Sequence, residues 1–241
     1  MITTRTRKIA AALIALTLVG GIAASLPAEA ATTTTRYVTV NSDGSVKVTP
    51  DAVRLNANVT VVAGSNKEAL AKTSVSAAAV RAALTTAGIA KADIATQNIS
   101  VYPEYNYTQD KGSVLIGYRG SQGFVVTIKN AENAGAVVDA VVAAGGDNLQ
   151  IQGVTPFVLD SSKATESARA NAVKNAKAKA TSYAKLLGVK LGAVVFLNET
   201  SSPSVSPPLY MASAKEVSAD ATVIDLGQQD VTVTITIRWS L

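Results

Sequence analysis

The stretch Asp160–Gly192, DSSKATESARANAVKNAKAKATSYAKLLGVKLG, constrains the fold more than any other part of the chain. At 100° per residue, Ala172, Val173, Ala176, Ala180, Tyr183 and Leu187 gather on one side, with Lys163, Lys174, Lys177 and Lys185 on the other. That is the pattern of an amphipathic helix. Asp160, Ser161 or Ser162 can cap its first N–H groups, and Gly188 stands where a left-handed residue closes a helix. The spacing predicts a helix over about Ser161–Leu187, followed by a strand. Its apolar stripe is mostly alanine, so no bulky side chain holds a facing layer away, and helix and sheet backbones can lie close. Arg169 falls toward the apolar side and reads as a side chain that snorkels to water or pairs with a carboxylate.

The remaining chain alternates strands with two further helices. Tyr37–Val40 and Val46–Val48 are β-rich runs around Asn41-Ser42-Asp43-Gly44, a turn signal. Val53, Leu55, Ala57, Val59 and Val61 alternate with polar residues as a half-buried strand does. Ser65-Asn66-Lys67-Glu68 is a capping box, and Leu70, Thr73, Ala77, Val80, Leu84 and Ala87 step in threes and fours to the terminator Gly88. Asp93–Tyr102 reads as a strand that Pro103 ends or edges. Asn106–Ser113 then makes a polar hairpin loop into a second strand, Leu115–Lys129, where Gly117, Gly120 and Gly123 mark bulges.

A helix over Ala131–Ala144 buries Ala134, Val137, Val138, Val141 and Val142, and strands follow at Leu149–Leu159 and Lys190–Asn198. Glu199–Asp220 is rich in Ser, Pro and Ala and without periodicity, which reads as a mobile arm. Asp230–Leu241 alternates Val231, Val233, Ile235, Ile237 and Trp239 with Thr232, Thr234, Thr236, Arg238 and Ser240, leaving one polar face available. These elements predict an α+β fold, mainly antiparallel sheet packed with three helices. They divide into a first half over 36–129 and a second over 130–241.

Composition bounds the chemistry. Arg5, Arg7 and Lys8, then the apolar run Ile9–Ile22, then Ala28-Glu29-Ala30, form the three parts of a secretory signal peptide over residues 1–30, cleaved at Ala30-Ala31. No later stretch is apolar enough to span a bilayer, so the mature chain reads as soluble, secreted or periplasmic. Loss of residues 1–30 takes three positive charges and one negative from a net +5, leaving +3. The lysines lie along solvated helix faces rather than among aromatics, which argues against a nucleic-acid partner.

The sequence has no cysteine and no histidine. Disulfides, thiol chemistry, Ser-His-Asp triads and Zn(His/Cys) sites are therefore excluded. Gly117-x-x-Gly120-x-x-Gly123 lies inside a β-run without the helix a phosphate loop needs. Asp51, Asp93, Glu104, Asp147 and Asp160 sit near turns or element ends without calcium-loop spacing, and read as caps and turn formers. No cofactor and no metal site is expected. Tyr102, Tyr105, Tyr107 and Tyr118 gather on one predicted hairpin. There they can stack on a sugar, anchor a subunit contact, or form a small satellite core. Tyr210-Met211, in the arm, is either an apolar contact tip or part of a disordered segment.

Pro50-Asp51, Ala87-Gly88-Ile89, Asp93-Ile94-x-Thr96, Pro103-x-Tyr105, Tyr118-Arg119, the run from Ala168 through Ala176-Lys177-x-x-Ala180 to Leu187-Gly188-x-x-Leu191-Gly192, and the closing Gly227…Val231-x-Val233 occur in one order. That order resembles the SIMPL-domain family, which includes periplasmic immunogenic and YggE-like oxidative-stress-defence proteins, over about Arg36–Leu241. Gly120 departs from the family's usual small-then-polar pair after the arginine. The resemblance implies an exported α+β protein with no established catalysis, tied to envelope or oxidative stress, and forming a homo-oligomer in at least one branch. It supplies no catalytic residues. Two readings follow: a self-associating, non-enzymatic envelope protein, or a module that binds a cell-wall glycan or small ligand through the tyrosine hairpin.

Overall fold

The computed structural model describes residues 36–200, 204–205 and 222–241. The signal peptide, most of the 199–220 arm and Tyr210 lie outside the described residues. The strict alternation of the last strand, β8 (Gln229–Ser240), makes it the middle of one sheet: its odd residues from Gln229 to Trp239 are buried and its even ones half-buried. β1 (Tyr37–Val48) pairs antiparallel along one side of it. β6 (Val194–Glu199) and the two-residue β7 (Ser204–Val205) pair along the other. A second antiparallel sheet has the order β3 (Ile94–Thr108), β4 (Gly112–Ile128), β2 (Ala52–Ala63), β5 (Leu149–Phe157). The α+β expectation holds, with three helices. The sheets do not follow the 129/130 division, because β1 joins the sheet of β6 and β8, whereas β5 joins that of β2–β4.

The long helix, α3 (Ser162–Leu186), lies over β1 and β8. Its buried stripe is Thr165, Ala168, Ala172, Ala176, Ala180 and Ala184, packed on Val40, Val233, Ile235, Ile237 and Trp239. The stripe is narrower than the periodicity suggested: Val173, Tyr183 and Leu187 are exposed. A four-residue step advances 40° beyond a full turn, so a pure i, i+4 row winds around the helix in step with a twisted sheet. The capping group is Asp160, whose Oδ1 accepts the Ser162 N–H at 2.9 Å, while Ser161 occupies the N-cap without a side-chain bond. Gly188 takes the left-handed position at φ 68°. Arg169 is carboxylate-paired, donating to Glu199 through Nε at 2.7 Å and a terminal nitrogen at 3.1 Å.

The supposed turn Asn41–Gly44 is the middle of β1, paired residue by residue with Thr236, Ile235, Thr234 and Val233. Gly44 is there for another reason. A Cβ at that position would overlap the Ala168 carbonyl oxygen and the Ala172 nitrogen, so α3 rests on the bare strand backbone. The outward residues of the same strand hold the polar face of β8: Asn41 Oδ1 accepts from Thr236 at 2.7 Å, Asp43 Oδ1 from Thr234 at 2.7 Å, and Thr39 Oγ1 from Arg238 at 3.1 Å. The face expected to be available is thus an interstrand ladder.

On the second sheet, α1 (Asn66–Thr86) begins at the expected box, with Ser65 Oγ accepting the Glu68 N–H at 3.3 Å. It buries Ala69, Thr73, Ala77, Val80 and Leu84, and Leu70 is exposed one position away. α2 (Ala134–Gly145) packs beside it through Val137, Val138 and Val141, with Val142 exposed. The core between them and the sheet centres on Val53, Leu55, Val59, Phe124, Val126 and Ile128. Full burial of each such side chain contributes roughly 1.5–3 kcal/mol. Gly120 repeats the device of Gly44, since a Cβ there would press on Thr73 Oγ1 and, at 2.8 Å, on the Ala69 carbonyl. The two sheets meet at Gln229 of β8, whose buried amide donates to the Pro156 carbonyl of β5 at 2.8 Å, while Asp51 Oδ1 accepts the Leu159 N–H at 2.8 Å beside the paired ends of β2 and β5.

Candidate functional site

β3 and β4 outrun their neighbour. β2 ends its pairing at Ala63 opposite Tyr118, so from Glu104 opposite Gly117 to Thr108 opposite Gly112 the two strands pair only with each other. The expected polar loop Asn106–Ser113 is therefore mostly strand, closed by a short turn in which Lys111 N–H donates to Thr108 Oγ1 at 3.3 Å. Pro103 does not end β3. It sits within an edge strand, where a missing N–H costs no ladder bond. Bulges fall at Gln97 and Ile116, beside Gly123 and Gly117.

Register sorts the four tyrosines. Tyr105 and Tyr107 share a face with Pro103, and Tyr118 lies opposite Pro103 on that face. Tyr102 lies on the other face, opposite Arg119. The structure thus brings together three of the four. Tyr105 and Tyr107 are 57% and 76% exposed, and Leu115, opposite Tyr105, and Val114, opposite Asn106, are exposed too. A two-stranded ribbon is marginal by itself in water. Here its root is pinned by Arg119, which grips Glu104 with two guanidinium nitrogens, Nε donating to Oε2 at 2.7 Å. That grip holds the Glu104 carboxyl below the usual carboxylate range, and the guanidinium is raised in turn.

Four of the five carboxylates singled out by sequence have structural partners. Asp51 and Asp160 accept backbone N–H groups, Glu104 holds Arg119, and Asp93 pairs with Lys129 at 2.9 Å. Among the described residues no group of three or more Asp or Glu could hold a metal ion. A cavity of 420 Å³ opens where α1 ends, lined by Gly88, Ile89, Asp93, Lys129, Asn130 and Val137 among others. Its single carboxylate, Asp93, is the one already tied to Lys129.

The arrangement is a pair of helix-backed sheets with an apolar ribbon, and a family model built on the same span decides where it belongs. The model for SIMPL, a protein of unknown function (DUF541), matches residues 38–239. The chain belongs to the SIMPL family. This SIMPL chain is 30% identical over 224 residues to the 26 kDa periplasmic immunogenic protein of Brucella melitensis, covering 88% of this chain and 87% of the relative. It is 31% identical over 186 residues to the uncharacterized protein YggE of Edwardsiella ictaluri, covering 76% and 75%. It is 29% identical over 189 residues to YggE of Escherichia coli K12, covering 77% and 76%. None of these names states a reaction. No helix among the described residues is long and apolar enough to cross a membrane.

Two features of the SIMPL chain escape sequence reasoning. Val194-Val195-Phe196-Leu197 falls in the expected strand Lys190–Asn198, and all four of its apolar side chains are exposed. Lys179, one of the lysines read as lying on a solvated helix face, donates with Asn171 and Asn175 to β1 carbonyls. Their i, i+4, i+8 spacing was the available signal, because such a row lies along one flank of a helix.

Proposed function

We propose that this SIMPL chain is an exported, non-enzymatic protein of the cell envelope that acts by assembling with copies of itself. The periplasmic name of the Brucella relative supports the compartment. The observation that carries the assembly is the ribbon of Tyr105, Tyr107, Val114 and Leu115, which sets apolar side chains in water beyond the last strand that could back them. Apolar and aromatic clusters so exposed mark contact surfaces, and tyrosine serves them well because its ring is apolar and its hydroxyl stays hydrated.

A part in the envelope or oxidative-stress response belongs to the same reading. With no cysteine and two methionines, such a part would run through binding and not through a redox group of the chain's own. The test is the solution mass of the purified chain beside a Tyr105→Ala, Tyr107→Ala double variant. The parent is expected to be larger than one chain and the variant to fall toward one chain with its circular dichroism unchanged. A parent that stays a single chain at high micromolar concentration refutes the assembly.

The exposed rings also favour a second reading, a cell-wall glycan or small ligand stacking on Tyr105 and Tyr107 with Tyr118 beside them. It expects tyrosine fluorescence to change on adding wall fragments and the change to vanish in the same variant. Silence across a panel of fragments refutes it.

A further inference from the structure

The two outer edges of the β1–β8–β6 sheet are treated in opposite ways. Along β1, the carbonyls of Asn41, Asp43 and Ser45, two residues apart and so facing one edge, accept from Lys179 Nζ at 3.3 Å, Asn175 Nδ2 at 3.0 Å and Asn171 Nδ2 at 3.1 Å. The match is geometric: four helical residues rise about 6.0 Å and two strand residues about 6.8 Å, so one row of helix side chains keeps step with one row of strand carbonyls. The edge is closed. The second sheet blunts its edges differently, with Pro103 in β3, Pro156 in β5, and bulges at Gln97 and Gln152.

β6 has none of this cover. It pairs with β8 on one side, and on the other its backbone has no partner among the described residues. No proline and no charged residue occurs from Leu191 to Asn198. Val194, Val195, Phe196 and Leu197 are each 48–55% exposed. A bulge at Val195 leaves Phe196–Glu199 in continuous register with β8. α3 stops short of covering β6: Val173, one turn on from Arg169 along the flank that holds Glu199, is exposed, as is Leu197 two residues before Glu199.

We infer that β6 is a strand-addition site for β6 of a second copy, the two strands pairing antiparallel across a two-fold axis so that two sheets run on as one. The inference rests on the self-assembly reading and adds to the tyrosine ribbon a second contact surface, on the other sheet. A two-fold contact needs a self-complementary patch, and this one is: uncharged residues meet uncharged residues along the strand. Antiparallel pairing also sets the Lys190 end of one copy beside the Glu199 end of the other, where parallel pairing would set like on like. Main-chain bonds supply the affinity, and the exposed Val173 and Leu197 gain cover beside the junction.

A chain without cysteine makes the test direct. Single variants Val195→Cys, Leu197→Cys and Asn198→Cys, with Glu132→Cys on the second sheet as control, are oxidised as purified full chains and sized without reductant. Disulfide-linked dimers are expected within β6, strongest at the position nearest the two-fold and absent from the control. Leu197→Lys, which alters an already exposed side chain, is expected to lower the solution mass with unchanged circular dichroism. If the parent chain assembles while no β6 position cross-links to itself and Leu197→Lys keeps the parent mass, the β6 surface is wrong and the assembly reading stands. If the parent is a single chain, both fall.

Discussion

Gly44 shows how one residue can carry two meanings. In Asn-Ser-Asp-Gly it has the chemistry of a turn, but in the fold it is a strand residue whose missing side chain admits the backbone of α3 at Ala168 and Ala172. Gly44→Ala puts a methyl group into an occupied space. Such overpacking costs typically 1–3 kcal/mol, so the midpoint of denaturant unfolding is expected to fall by about that much, and Gly120→Ala to behave alike against α1. A midpoint equal to the parent's would mean that helix and strand are further apart than described.

The ion pairs act on pH at the same scale. Hydrogen bonds from Arg119 and Arg169 hold the Glu104 and Glu199 carboxyls below their usual range. A carboxyl depressed in the folded chain stabilises it above the unfolded value of about 4.3 and loses that contribution as pH falls through the folded value. Glu104→Gln and Glu199→Gln are therefore expected to be less stable than the parent at pH 7. The difference should shrink below about pH 4, as followed by thermal melting across pH. A gap independent of pH would assign the loss to packing.

Among elements, those with strong periodicity were legible in sequence: α3 and α1 through their i, i+4 rows and capping residues, and β2 and β8 through alternation. What was not legible depends on partners distant in the chain. The continuity of β1 is imposed by β8, almost two hundred residues away, and no local rule prefers a strand through Asn-Ser-Asp-Gly. The tyrosine hairpin could be placed on the chain, but the separation of Tyr102 from Tyr105 and Tyr107 follows from pairing register. β6 could be named as a strand, but its exposure depends on where α3 ends its cover. The row Asn171, Asn175 and Lys179 predicts an element-scale effect. Replacing all three with Ala opens the β1 edge, and the variant is expected to associate more strongly than the parent with rising concentration, as sedimentation reads. A variant with the parent's mass at every concentration would show that α3 does not guard that edge.

For the whole molecule, the same absence that simplifies its chemistry concentrates attention on its surfaces. The sequence has neither histidine nor cysteine, and among the described carboxylates Glu104 and Asp93 grip cations while Asp160 caps α3, so the proposal of action by contact rests on the surfaces. Two helix-backed sheets give it rigid surfaces: an apolar ribbon from one and an uncovered strand from the other. The most direct measurement is light scattering of the unmodified chain over a range of concentrations up to high micromolar. The account predicts a mass that rises to a fixed multiple of one chain, and a mass that stays at one chain throughout would contradict it.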